Sequence, residues 1–265
     1  MLIDTHCHLD YPSLLADVDA VVARAHEAGV QRLVTISTHV ARHASYKDLS
    51  ERFDNVFWTI GTHPHNAGDE PDTTAETLVA LCSDPKCVAI GESGLDFHYD
   101  KSPRDVQRKV FRTHIAAARI TGLPLVIHAR AADDEMMAIL SEEHAQGAFG
   151  AILHCFSSGP ELARAGLELG FYLSFSGMIT FKRSEELRAI AASAPLERLL
   201  VETDAPYLAP EPFRGKPNEP SYVTRTAEVL AKVKGISVAE IAAATTANAL
   251  KVFPRMAAFR AHAAA

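Results

Sequence analysis

Residues 123–128 read Leu123-Pro124-Leu125-Val126-Ile127-His128, an apolar run that stops on a histidine. A run this short and this rich in branched side chains suits a strand buried on both faces, and the imidazole that ends it marks where the strand leaves the core. The same form recurs along the chain. Runs at 2–5, 32–37, 56–61 and 87–91 precede it, and runs at 151–153, 171–175 and 199–202 follow it. Between them lie stretches with helical spacing, among them 14–28, 103–121, 133–146 and 161–169, several of which end at a glycine suited to a C-terminal cap. Eight strand-and-helix units over roughly 250 residues predict an α/β fold, a single (β/α)8 TIM barrel of parallel strands, in preference to an open doubly wound sheet. Residues 221–253 read as two C-terminal helices separated near Gly235. No linker or composition shift divides the chain, so residues 1–265 are expected to form one domain with its core over about 1–254 and a frayed end from Ala257.

Composition narrows the function classes. The net charge of -7, from 33 acidic against 26 basic residues, provides no global positive field to gather a polyanion, so nucleic acid would have to be met by a local patch. Cys7, Cys82, Cys87 and Cys155 show no CxxC spacing, which predicts reduced thiols. The opening Met-Leu-Ile-Asp-Thr-His lacks the charged and apolar regions of a signal peptide, and no apolar stretch is long enough to span a bilayer. These features lead to the expectation of a cytoplasmic protein with no membrane partner and no obligate protein partner.

Metal-competent residues sit directly after the apolar runs. His6 and His8 close the first, His63 and His65 follow the third, Glu92 ends the fourth, His128 the fifth and His154 the sixth, and Asp204 follows the eighth. A parallel barrel assembles its active site from the C-terminal ends of its strands, so these scattered residues are predicted to meet at one mouth. Because strand side chains alternate, His6 and His8 share a face. One strand-end histidine alone indicates little, but carboxylates gathered with neutral imidazoles repel one another unless a divalent cation lies among them. His26, His39, His43, His98, His114, His144 and His262 lack this placement and read as surface or packing residues.

Several motifs together resemble the TatD-type metal-dependent hydrolases of the amidohydrolase superfamily. They are Ile3-Asp4-Thr5-His6-Cys7-His8, Gly61-Thr62-His63-Pro64-His65, Gly91-Glu92-Ser93-Gly94-Leu95-Asp96, His128-Ala129-Arg130, His154-Cys155-Phe156-Ser157, 202–210 and 214–220. The resemblance runs from residue 2 to about Phe253. It implies two divalent cations at the barrel mouth and hydrolysis of phosphodiester bonds, as a deoxyribonuclease working 3′ to 5′ on single-stranded DNA. Matched motif by motif, it implies that His6, His8 and Asp204 hold one metal, His128 and His154 the other, and that Glu92 bridges them. No lysine follows Glu92 closely, so the superfamily's alternative bridge, a carboxylated lysine, has no candidate there. Ser158 stands where the family more often has glycine.

Imidazoles mixed with carboxylates suit zinc, manganese or iron better than an all-oxygen magnesium site, although magnesium stays open through availability. Asp204 is placed to ligate and to accept a proton from the attacking water. Glu202, Asp4 and Asp96 are candidates for supporting the imidazoles. His63 is assigned to the substrate phosphate or a metal-bound water. The loop from 205 to 220, stiffened by five prolines, is expected to present Arg214, Lys216 and Asn218 as a phosphate clamp, with Lys182 and Arg183 extending the basic rim and Phe181 and Tyr207 stacking on bases. Two rival readings remain at this point: the same metals acting on a small amide, lactone or phosphoester, and a metal-binding protein without catalysis.

Overall fold

The computed structural model describes residues 1–259, so His262 lies outside the described residues. Eight strands, β1 (Leu2–Cys7), β2 (Val30–Thr35), β3 (Val56–Ile60), β4 (Cys87–Asp96), β5 (Leu125–Arg130), β6 (Ala151–Leu153), β7 (Tyr172–Phe175) and β8 (Leu199–Val201), follow one another around a TIM barrel. Every neighbouring pair is parallel. The ring closes between β8 and β1 through residues just past the β8 ladder: a Cys7–Ala205 bridge, with Asp204 N–H donating to His6 O at 2.9 Å and His8 N–H to Ala205 O at 2.7 Å.

Helices between the strands bury one apolar stripe each. In Arg104–Thr121 the buried positions Gln107, Val110, Phe111, His114, Ile115 and Ala118 recur at helical spacing, and the helix stops at Gly122, whose φ of 69° is the left-handed cap that the sequence predicts. The single helix expected over 14–28 is instead two, Pro12–Leu15 and Val18–Glu27, broken where Asp17 leaves helical geometry. The C-terminal pair Val223–Lys234 and Val238–Val252 does divide at Gly235.

One core cluster takes a residue from every strand, namely Ile3, Val34, Phe57, Val88, Val126, Ile152, Tyr172 and Leu200, and packs them with Val252, Phe253 and Met256. These side chains fill the barrel, and the C-terminal helices seal its floor: Arg255 donates to Cys87 O, where β4 begins, and Thr246 to Met1 O. The opposite end is left for the site. There β1, β4 and β5 run beyond their apolar stretches, so that His6, Glu92 and His128 are strand residues rather than the first residues after a strand. Polar side chains at these positions shorten the apolar signal while the backbone ladder continues.

Candidate metal centre at the barrel mouth

Glu92 lies at the middle of the mouth and is 2% exposed. Its Oε1 is 2.8 Å from His154 Nε2, 3.0 Å from His128 Nδ1 and 3.4 Å from His63 Nε2, while its Oε2 is 3.5 Å from His6 Nε2. Asp204 Oδ1 lies 3.5 Å from His6 Nε2 and 3.4 Å from His8 Nε2. The rings of His6 and His154 stack with centroids 3.9 Å apart. The six side chains singled out as ligands therefore meet, and two compact sets, His6–His8–Glu92 and His63–Glu92–His128, share the one carboxylate. His63, read from sequence as a substrate contact, stands as close to Glu92 as the ligand candidates do.

Backbone features aim these groups. Asp204 has a φ of 57° and Cys155 one of 42°, so both turns after β8 and β6 use left-handed conformations that cost non-glycine residues about 1–3 kcal/mol each. Gly94, with a φ of 152°, lies against the backbone of His128 so closely that a side chain would strike its carbonyl. That contact lets β4 and β5 run together up to the site.

A second layer fixes the tautomers. Asp96 Oδ2 accepts from His128 Nε2 at 3.1 Å and from His65 Nε2 at 2.8 Å, and its Oδ1 accepts the N–H groups of His98 and Tyr99. A proton on His128 Nε2 leaves the Nδ1 lone pair toward Glu92. Glu202 Oε1 does the same for His154, accepting from Nδ1 at 3.2 Å and from Cys155 N–H at 2.8 Å. Asp4 behaves differently. It accepts from the Thr203 hydroxyl at 2.6 Å and from the N–H groups of Thr203 and His6, so it joins β1 to the segment after β8 and touches no imidazole ring.

The donor set fits divalent cations on direct observations. Both ring nitrogens of His6, Nδ1 of His8 and Nε2 of His154 are buried without a hydrogen-bond partner, and the short His154–Glu92 approach lacks hydrogen-bond alignment. Nitrogens aimed at carboxylate oxygens with no aligned bond between them leave a place for a positive ion. Burial pushes His6 down, as does neighbouring His154, and burial pushes His63 well down, so both are neutral and carry free lone pairs. Burial works to raise the Glu92 carboxyl, but the imidazoles gathered around it, His154 first and then His63 and His128, outweigh that and hold it well below its usual range. Asp204 is lowered in the same way, against burial, by His8 and His6.

These residues floor a cavity of about 1270 Å³. Its walls include Asp10, Tyr11, His39, Arg42, Asn66, Tyr99, Lys101, Arg130 and Tyr207, most of them on loops that sequence periodicity does not flag. Arg214 and Lys216 are exposed and lie outside this lining, and the Arg214 guanidinium stacks 3.7 Å over the Phe181 ring. Asn218 is not presented at all: fully buried, it donates to Thr203 O at 2.9 Å and Tyr207 O at 2.6 Å, pinning the loop. His114 is buried too, accepting from Thr62 N–H on Nε2 and donating from Nδ1 to Val110 O. No described helix is long and apolar enough to cross a membrane.

Residues 3–254 match the family model described as TatD related DNase. YabD of Bacillus subtilis, named an uncharacterized metal-dependent hydrolase, is 42% identical over 253 residues, 96% of this chain and 99% of that one. The 3′-5′ ssDNA/RNA exonuclease TatD of Citrobacter rodentium is 34% identical over 257 residues, 95% of this chain and 97% of that one. The crystal structure of YJJV, a TatD homolog from Escherichia coli K12, superposes with a TM-score of 0.89 at 30% identity, covering 96% of this chain and 98% of that one. With its barrel, its imidazole-and-carboxylate mouth and these matches along nearly its whole length, the chain belongs to the TatD family of metal-dependent hydrolases.

Proposed function

We propose that this protein hydrolyses phosphodiester bonds, as a deoxyribonuclease that removes nucleotides from the 3′ end of single-stranded DNA with two divalent cations, zinc, manganese or magnesium. The observation that carries the reading is the sharing of Glu92 by two ligand sets, since a carboxylate between two cations is the signature of a paired site. In this reading His6, His8 and Asp204 would hold one cation, His128 and His154 would hold the other, and Glu92 would serve both. Such a pair, when bound, lowers the pKa of water, offsets the phosphoryl charge and steadies the leaving oxygen.

The chain's own groups do the rest. Asp204, whose carboxyl is held ionised beside His8, accepts the proton of the attacking water. Asp96 and Glu202 keep His128 and His154 in the tautomers that leave the inward nitrogens free. His63 contacts the substrate phosphate from beside Glu92. Arg214 and Lys216, outside the cavity lining, meet phosphates further along the strand. Support for the nucleic-acid substrate comes from the family description and from the name of the Citrobacter rodentium relative.

The test combines metal analysis of the purified protein with hydrolysis of single-stranded DNA bearing free or blocked 3′ ends. The expected result is close to two bound metals per chain, shortening of the free ends only, and loss of at least about a thousandfold in kcat for Asp204→Ala with the fold retained. Inactivity toward DNA and RNA alike, with turnover of a small amide, lactone or phosphoester, would transfer the site to the other chemistry.

A further inference from the structure

Asp10 lies in the cavity wall two residues beyond His8 and takes no part in the chemistry above. It is 8% exposed, and its Oδ2 pairs with Arg42 Nη2 at 3.0 Å. Its Oδ1 is buried without any hydrogen-bond donor. The neighbouring backbone donors are already committed, Leu9 N–H to Thr35 Oγ1 and Tyr11 N–H to His8 O. A carboxylate oxygen taken from water and left unmatched is costly, and such a group in a ligand cavity calls for a donor brought by the ligand.

The surroundings limit what that donor can be. Arg42 Nη2 faces Oδ2, so the pair carries no net charge, and the group it leaves buried and unmatched is the acceptor Oδ1. Beside it, Tyr11 and Tyr207 form an edge-to-face pair 5.4 Å apart, next to His8, and Tyr207 is 46% exposed. The side of the cavity by His65 and His128 is different: there Tyr99, 52% exposed, has Arg130 at 4.7 Å and Lys101 at 5.7 Å from its ring. Cations flanking an exposed ring suit a nucleotide that carries a phosphate onward. An aromatic wall with one unmatched acceptor suits the nucleoside at which the phosphates end.

Taking the 3′-end nuclease reading as its basis, we propose that Asp10 accepts a hydrogen bond from the 3′-hydroxyl of the terminal nucleotide. The base of that nucleotide packs against Tyr11 and Tyr207, and the rest of the strand leaves across Tyr99, Lys101 and Arg130. Asp10 is then a specificity residue that reads a free terminus. A terminal phosphate sets acceptor against acceptor and is refused.

The experiment uses three single-stranded oligonucleotides identical except for a 3′-hydroxyl, a 3′-hydrogen or a 3′-phosphate, and measures kcat/KM for release of the first nucleotide. Wild-type protein is expected to prefer the hydroxyl over the hydrogen by about ten- to hundredfold, the range for a hydrogen bond to a charged group, and to cut the phosphate more slowly still. Asp10→Asn keeps an acceptor oxygen and part of the preference. Asp10→Ala brings hydroxyl and hydrogen ends to within about twofold and, by freeing Arg42, raises cleavage of the phosphate end relative to both. Equal slowing of all three substrates by Asp10→Ala would mean that Asp10 only holds Arg42, and would overturn the inference. So would a wild-type protein indifferent to the terminus, a comparison that needs no variant to fold. If wild-type protein cuts none of the three, the nuclease reading fails and the inference fails with it.

Discussion

The tautomer of His128 is decided by Asp96, which accepts a hydrogen bond from Nε2–H and so leaves Nδ1 open toward Glu92. Burial tends to raise Asp96, yet the hydrogen bonds from His128 and His65 prevail and keep it ionised at any working pH. Asp96→Asn presents an amide that cannot enforce the same tautomer. A loss of about 10- to 100-fold in metal affinity or activity follows, measurable by metal titration with circular dichroism as the check on folding. His114 makes the opposite use of burial. Its hydrogen-bond partners among the described residues are one backbone N–H and one carbonyl, and burial lowers its pKa from 6.5 to about 4. Between those values the unfolded chain binds a proton that the folded chain refuses, so the stability gained from neutral His114 is whole above pH 6.5 and is lost as pH falls toward 4. The loss amounts to roughly 3 kcal/mol. Urea unfolding of His114→Gln across this range should show a wild-type advantage that shrinks on acidification; a constant difference would exclude the linkage. Asp96 was legible in the sequence as a candidate support for the imidazoles, but the burial of His114 was not, since it was one histidine among several without a strand end beside it. The hydrogen bonds that define it come from residues 52 and 4 positions away.

Strands and loops differ in how much of them the sequence reveals. Apolar runs locate all eight strands because burial on both faces demands them, and the residues that end the runs locate the site because the barrel brings strand ends together. The loops carry no such periodicity. Asp10, Arg42, Tyr99 and Lys101 reach the cavity through turns that side-chain patterns do not encode, whereas Arg214 and Lys216 stay outside it despite their charges. What directs the proline-rich segment is the burial of Asn218, whose two donated bonds face it inward and leave its basic neighbours exposed. Asn218→Ala strips the carbonyls of Thr203 and Tyr207 of their donor and should cost about 2–3 kcal/mol. Because those carbonyls flank Asp204, kcat should fall as well, with metal-loaded protein assayed under conditions where it remains folded. Retained stability and full kcat would show that the prolines alone hold the segment.

At the scale of the molecule, the barrel has a floor and a mouth with separate duties. The floor is sealed by apolar packing of Val252, Phe253 and Met256 against one residue from each strand, and nothing there is shared with the chemistry. The ring's last join is another matter. It passes through Asp204 to His6 and His8 to Ala205, and three of those four residues also offer the side chains proposed to grip a cation. Opening that join and emptying the site are therefore expected to be one event. Chelation should lower the melting temperature, by an amount equivalent to about 3 kcal/mol if free metal had stood at a hundred times its Kd. It should also hasten deuterium uptake in peptides spanning 5–9 and 202–206 well before those from β5 and β6. Unchanged uptake in these peptides would separate the two events. The amides of Asp204 and His8 would then serve as a clasp that reports on its own cargo: whether the hoop is fastened can be read from two backbone protons, without any substrate being turned over.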